Sequence, residues 1–171
     1  LEPAEKLVTG LRELLGVRVE LAGAIRRRLE VVDAVDLLIE TGARQEQEAR
    51  KVDAFLAKNS LKVAVRPKFA DPKRWGFEWA RATAGEGHWQ ALKVEAAPDG
   101  KAALTEEAFY ESLELPWIEP VMRETGEELK LAAKSGVQGL AGVLGSDSIL
   151  GVFHCHTTRS DGMASLEEMV E

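Results

Sequence analysis

Apolar residues fall at helix spacing over residues 3–15, where Leu7, Val8, Leu11, Leu14 and Leu15 share one face, Pro3 lies near the start and Gly16 provides a stop. The pattern predicts an amphipathic helix laid over a sheet. The period then switches to two: Val17, Val19 and Leu21 alternate with Arg18 and Glu20, Ala22-Gly23-Ala24 breaks the run, and Val35 to Ile39 is an apolar, β-branched stretch fit for a buried strand. Thr41-Gly42 reads as a turn. Residues 44–57 form a charged helix whose buried side is Ala49, Val52, Phe55 and Leu56, Asn59-Ser60 ends it, and residues 61–65 are the next strand. Pro98-Asp99-Gly100 marks a further turn, and Thr105 caps a helix reaching to Leu113, with Glu106 and Glu107 placed well for its dipole. Small residues from Gly136 to Gly145 suit a linker. Ile149 to Phe153 reads as a short strand delivering His154-Cys155-His156, and Ser165 to Glu168 has the form of a capping box.

Strand geometry decides which acidic groups can cooperate. Side chains two apart share a face, so Ala34 and Asp36 point the same way and Asp33 points to the other side. Gly23, Arg26, Arg27, Glu30, Asp36 and the run Leu37 to Ile39 resemble the nucleotidyltransferase signature of family X DNA polymerases, G-S-x-R-R, then E, then D-x-D-x-L-I, carried on the palm. The resemblance implies that the Gly23 turn with Arg26 and Arg27 binds the incoming triphosphate, and that Asp36 belongs to a carboxylate set holding two magnesium or manganese ions. Ala24 stands where the family has Ser, and Ala34 where it has the first Asp. Lys62 to Arg66, K-V-A-V-R, aligns with the family's R-V-D-L-R, which puts Ala64 at the third aspartate and Arg66 among the nucleotide- and DNA-binding residues. Trp75-Gly76 matches a Phe-Gly pair, Thr83 to His88 an altered T-G-S-K-x-H segment, and Arg81-Ala82 replace the Tyr-Phe that lies against the nucleotide sugar. Phosphoryl transfer is catalysed by positioning and by divalent charge on the attacking and leaving oxygens. A methyl group supplies neither, so the resemblance implies a polymerase site that has lost function on a scaffold that persists.

Two later stretches extend the resemblance in the family's own order. Thr105 to Leu129, with Leu115, Pro116, Ile118, Pro120, Arg123, Glu124, Gly126 and Glu127, is similar to the thumb end of bacterial family X polymerases, L-P-x-I-x-P followed by R-E-x-x-G-E. FHCHTTRSDG, residues 153–162, resembles the first motif of the PHP phosphoesterases, H-x-H-T-x-x-S-D-G. Two His at i, i+2 on a strand face the same way, about 7 Å apart at the backbone, and can reach one metal. The resemblance implies a zinc or manganese site on His154, His156 and Asp161, completed by ligands from later strands.

Composition adds bounds. With 171 residues, 45% hydrophobic and 30% charged, the chain has a globular composition with room for one ordinary domain or two small ones. No apolar run reaches the roughly 18 residues of a membrane span and no signal sequence opens the chain, so no membrane partner and a cytoplasmic location are expected. The single cysteine, Cys155, fits a reducing compartment. The net charge of −7 argues in bulk against nucleic acid, yet Lys62, Arg66, Lys68, Lys73 and Arg74 oppose only Asp71 over residues 62–74. Arg26 to Arg28 reads either as a phosphate contact or as a solvated face. Trp75 and Trp79, at i, i+4, read as core anchors, and His88 as structural. The lack of an initial Met and the capping box at the very end suggest a piece of a longer polypeptide.

The expected architecture is α/β: a nucleotidyltransferase-like α+β palm over 1–97, a thumb end and connector over 98–135, and a linker with the first strand and helix of a PHP barrel over 136–171. The resemblance implies a monomeric bacterial enzyme acting on DNA and deoxynucleoside triphosphates: a DNA-directed polymerase of repair, with a PHP phosphoesterase or 3′-5′ exonuclease. The alternative is a non-catalytic palm and thumb that place DNA for the PHP nuclease.

Overall fold

A computed structural model describes residues 1–139, 150–151, 154 and 156–169. The N-terminal amphipathic stretch folds as α1 (Glu2–Leu15), with Pro3 in the first turn and Gly16 closing the helix at φ 66°. Ala4, Leu7, Val8 and Leu11 are its buried face. Leu14, expected on that face, is 44% exposed. At 100° per residue it falls on the margin of the stripe centred on Leu11, and the contact is carried by the row Leu7, Leu11, Leu15.

Three strands, β1 (Val19–Ala22), β2 (Ala34–Glu40) and β3 (Ala64–Ala70), form one mixed sheet in the order β1-β2-β3. β1 runs antiparallel to β2 and β3 parallel to it. A parallel partner needs a crossover, which α3 (Gln45–Lys58) supplies. One face of the sheet packs Val19, Val35, Leu37 and Ile39 against α1 and against Val52 of α3. The third strand was expected over 61–65 and instead begins at Ala64 and continues through Pro67 to Ala70. Proline has no N–H, but on an edge strand the outward side has no partner to lose. Exposure alternates along β3, with Ala64, Arg66 and Lys68 open to solvent on the face away from α1 and α3.

Four further helices, α4 (Trp75–Thr83), α5 (Glu86–Leu92), α6 (Glu106–Ser112) and α7 (Glu127–Gly139), gather around a second cluster. Phe77, Ala80, Ala103, Phe109, Tyr110, Ile118 and Ala132 form its buried centre. The cluster draws on both sides of position 97, so the segment boundary expected there lies inside one compact unit, Leu1–Ala141. α7 also takes up Gly136 to Gly139, where a linker was expected. Once a helix is nucleated, each added residue contributes a hydrogen bond, which offsets the roughly 1 kcal/mol cost of a glycine. The remainder of the predicted linker lies outside the described residues. The fold is thus mixed α/β, and among the described residues no helix is long and apolar enough to cross a membrane.

His88 ties this second cluster together. Its ring is fully buried, with Nδ1 2.6 Å from Glu128 Oε1 and Nε2 2.8 Å from the Tyr110 hydroxyl. An ionised carboxylate only accepts, so Nδ1–H donates to Glu128, and because burial favours the neutral ring, Nε2 is assigned as the acceptor of the Tyr110 hydroxyl. Burial lowers the His88 pKa against the opposing pull of Glu128. Burial also raises the Tyr110 pKa. His88 is therefore structural, as its sequence context suggested. A histidine whose folded pKa lies below its unfolded value stabilises the fold fully above the ordinary value of 6.5 and loses that contribution as pH falls. Urea unfolding across a pH series should show stability declining below 6.5. His88→Phe should remove that part of the slope while lowering stability overall. Stability that rises as pH falls through this range would mean a charged, paired imidazole instead.

Candidate functional site

The face of β2 turned away from α1 carries Ala34, Asp36 and Leu38, and the register sets Ala34 opposite Ala64, Asp36 opposite Arg66 and Leu38 opposite Lys68. Residues paired across a sheet point to the same side. Positions 34, 36 and 64, where the sequence resemblance puts three carboxylates, therefore do meet on one face, and Asp36 is the only acid among them. Asp33 precedes the strand and is exposed. The donor set does not fit a pair of divalent ions, since two methyl groups occupy the places of ligands. Among the described residues, no group of three or more His, Cys, Asp or Glu side chains is arranged to hold a metal.

Gly23 comes from the turn between β1 and the short helix α2 (Gly23–Arg26). Its φ of 61° is in the left-handed region, and a Cβ there would land on the Asp36 carboxylate. This close approach follows from the pairing of Ala22 with Asp36. A glycine is required at this point for both reasons.

The arginines that follow are placed differently from the phosphate-binding role expected of them. Arg26 donates from Nη1 to Glu106 Oε1 at 2.8 Å, from Nη2 to Glu106 Oε2 at 2.5 Å, and from Nη1 to the Thr83 hydroxyl at 2.8 Å. Its guanidinium also lies 3.6 Å from the Trp79 ring centroid. Arg27 donates to Glu124 Oε1 at 2.5 Å and to the Thr83 carbonyl at 2.7 Å. Both side chains are thus spent on the fold. The bidentate fork that suits a phosphate suits a buried carboxylate equally, and here the carboxylate is supplied by the chain itself. Arg28 is exposed at φ 59°.

Glu106 is the residue that sequence reading undervalued. Placed at the start of α6, it invites a reading as a dipole partner, yet it is 3% exposed and also accepts from Arg123 Nη1 at 2.5 Å. Arg123 is fully buried and donates from Nε to the Ile118 carbonyl at 2.8 Å. Burial alone would raise the Glu106 pKa, but the hydrogen bonds from Arg26 and Arg123 and the charge of both outweigh it and hold the carboxyl below its ordinary value. The signal that could have located this network is the R-E pair of the thumb motif, Arg123-Glu124, since both members bond back to it. Trp75, 2% exposed, and Trp79, which donates to the Leu21 carbonyl at 3.0 Å, are core anchors as expected.

The second compact unit, Gly142–Glu171, carries the H-x-H motif. Most of the strand expected over 149–153, and Cys155, lie outside the described residues. His154 Nε2 and His156 Nε2 face each other at 2.8 Å, with ring centroids 4.8 Å apart. Asp161 Oδ1 lies 2.5 Å from His156 Nδ1, on the far side of that ring from His154, and this hydrogen bond holds the Asp161 carboxyl below its ordinary range. The turn Thr157 to Gly162 brings it there, with Gly162 N–H donating to the Thr157 carbonyl at 3.0 Å. Asp161 is therefore positioned to orient His156 and its tautomer rather than to join the two imidazoles at a common point. The following capping box is formed, with Ser165 N–H on Glu168 Oε2 at 2.7 Å and Glu168 N–H on Ser165 Oγ at 3.2 Å.

Removing the carboxylate of Glu106 would leave the fully buried Arg123 uncompensated. Glu106→Ala should cost roughly 3–5 kcal/mol in urea unfolding. Arg27→Ala should lower the unfolding midpoint while leaving the salt dependence of any DNA binding unchanged, and a reduced salt slope would restore Arg27 to phosphate. No protein-family model matches the chain, and no curated protein matches its sequence.

Proposed function

We propose that this chain is the palm and thumb of a family X-type DNA polymerase that no longer carries a two-metal centre, followed by the opening of a PHP phosphoesterase domain, and that the palm and thumb hold DNA for that phosphoesterase. The observation that carries the reading is the register of β2 and β3. It sets Ala34 against Ala64 on the face where the family resemblance calls for carboxylates, with Asp36 alone beside them. One carboxylate supports the scaffold reading over nucleotidyl transfer.

His154 and His156 supply the chemistry in this proposal. With Asp161 fixing the Nδ1 proton of His156, the Nε2 lone pair of that ring is directed towards His154. The two Nε2 atoms are the groups that would hold a zinc or manganese ion, with further ligands from beyond this stretch. Such an ion supplies a Lewis acid for a phosphate oxygen and lowers the pKa of a water. The pair alone is a thin shell, so metal affinity depends on those further ligands.

One observation favours residual polymerase activity as a second reading: Gly23 keeps its left-handed turn against Asp36, an arrangement suited to a nucleotide site. Primer extension on gapped DNA with deoxynucleoside triphosphates and magnesium or manganese separates the two. The scaffold reading expects none, and no pair of ions at Asp36 in a crystal soaked with magnesium and nucleotide. Extension abolished by Asp36→Asn or Asp33→Ala would establish the polymerase instead. With the PHP ligands complete, phosphodiester hydrolysis should require zinc or manganese and be lost in His154→Ala. Hydrolysis that survives this change would remove His154 from the site.

A further inference from the structure

With Arg26 and Arg27 turned into the fold, the palm needs another surface if it is to hold DNA, and the edge of the sheet provides one. Lys62, Arg66, Lys68, Lys73 and Arg74 are all exposed. None of them takes part in an ion pair among the described residues. Over residues 62–74 these five cations meet one acid, Asp71, in a chain whose net charge is −7. By register, Asp36 and Glu40 of β2 and Glu20 of β1 share the face of Arg66 and Lys68, with Glu20 paired to Arg12 and Arg18, and Asp99 lies beside Lys73 and Arg74, so the surplus is greatest along β3 itself.

We propose that the open edge of β3 and the turn after it form a metal-independent rail for the phosphodiester backbone of DNA. This inference rests on the reading of the palm as a DNA-holding scaffold and names the surface that does it. Arg66 and Lys68 lie two apart on a strand, so their side chains leave the same face about 6.6 Å apart along it. Lys73 and Arg74 continue the line through the 3-10 turn Pro72–Arg74, where Asp71 is occupied in accepting from the Lys73 backbone N–H at 2.8 Å. Ala64 keeps the strand's start low and uncharged. On the family pattern a carboxylate at 64, beside Arg66, would bring in divalent ions; its absence leaves a surface whose positive charge is entirely its own. Such a surface reads charge and not sequence, and its affinity comes from released counterions.

The test is fluorescence anisotropy of the full chain with labelled duplex and single-stranded oligonucleotides, in EDTA, over a potassium chloride series. Binding should persist in EDTA, and its logarithm should fall linearly with log salt, at about −0.9 per phosphate on duplex and about −0.7 on single strands. The double variant R66A/K68A should reduce the duplex slope by about 1.8, two contacts at about 0.9 each. R66E/K68E should lose binding by more than about tenfold while the unfolding midpoint holds, since both side chains are exposed. Unchanged affinity and slope in R66E/K68E would overturn the rail and leave the scaffold reading to another surface. Loss of all binding by the parent chain in EDTA would also overturn it. No binding at low salt under any condition would overturn rail and scaffold together, whatever the primer-extension and hydrolysis assays report.

Discussion

A buried carboxylate, Glu106, links the turn after β1 to the helices of the second cluster. Glu106 receives three hydrogen bonds from two guanidinium groups, Arg26 on α2 and Arg123 from the segment before α7. Taking ions out of water costs several kcal/mol each, and the cost is offset only where geometry is good and further donors are satisfied. Here Arg26 also bonds Thr83 and stacks on Trp79, while Arg123 also bonds the Ile118 carbonyl but keeps a buried Nη2 without a partner among the described residues. The network therefore fixes α2, α4, α6 and the LPWIEP stretch relative to one another.

The same network decides which side chains on this face of the sheet are free. An arginine committed to an internal carboxylate has no free fork for a triphosphate, and Arg27, held by Glu124 and the Thr83 carbonyl, is in the same position. Beside it the sheet brings Ala34 and Ala64 together, with Asp36 the one carboxylate among positions 34, 36 and 64. The left-handed turn at Gly23 remains against Asp36. Scaffold geometry and site chemistry are thus separable in this chain: backbone approach is set by strand pairing, and function by a few side chains placed on it.

Charge that is absent from the middle of the face is found at its margin. Among the described residues β3 has one neighbour, β2, so its outer edge tolerates Pro67, and Arg66 and Lys68 are exposed. Charged residues on an edge strand also oppose pairing with another chain.

The sequence by itself determined the helices read at 3–15 and 44–57, to within a residue at each end, the β1 and β2 strands, the N-cap at Thr105, the capping box at Ser165 and the absence of a carboxylate at positions 34 and 64. These are local: periodicity, cap chemistry and residue identity depend on neighbours within a turn or a strand. Only the tertiary structure decided that 34 and 64 lie opposite each other, because parallel register is set by the crossover through α3 and not by either strand. It also decided the end of β3, since whether Pro67 is tolerated depends on which edge is open. The Arg26–Glu106 contact joins residues 80 positions apart, and nothing local distinguishes an arginine that will meet such a carboxylate from one that faces phosphate. In the H-x-H motif, spacing placed both imidazoles on one side, but which nitrogen Asp161 reaches was settled by the turn from Thr157 to Gly162, which backbone hydrogen bonds and the Thr157 and Ser160 hydroxyls of the motif close together.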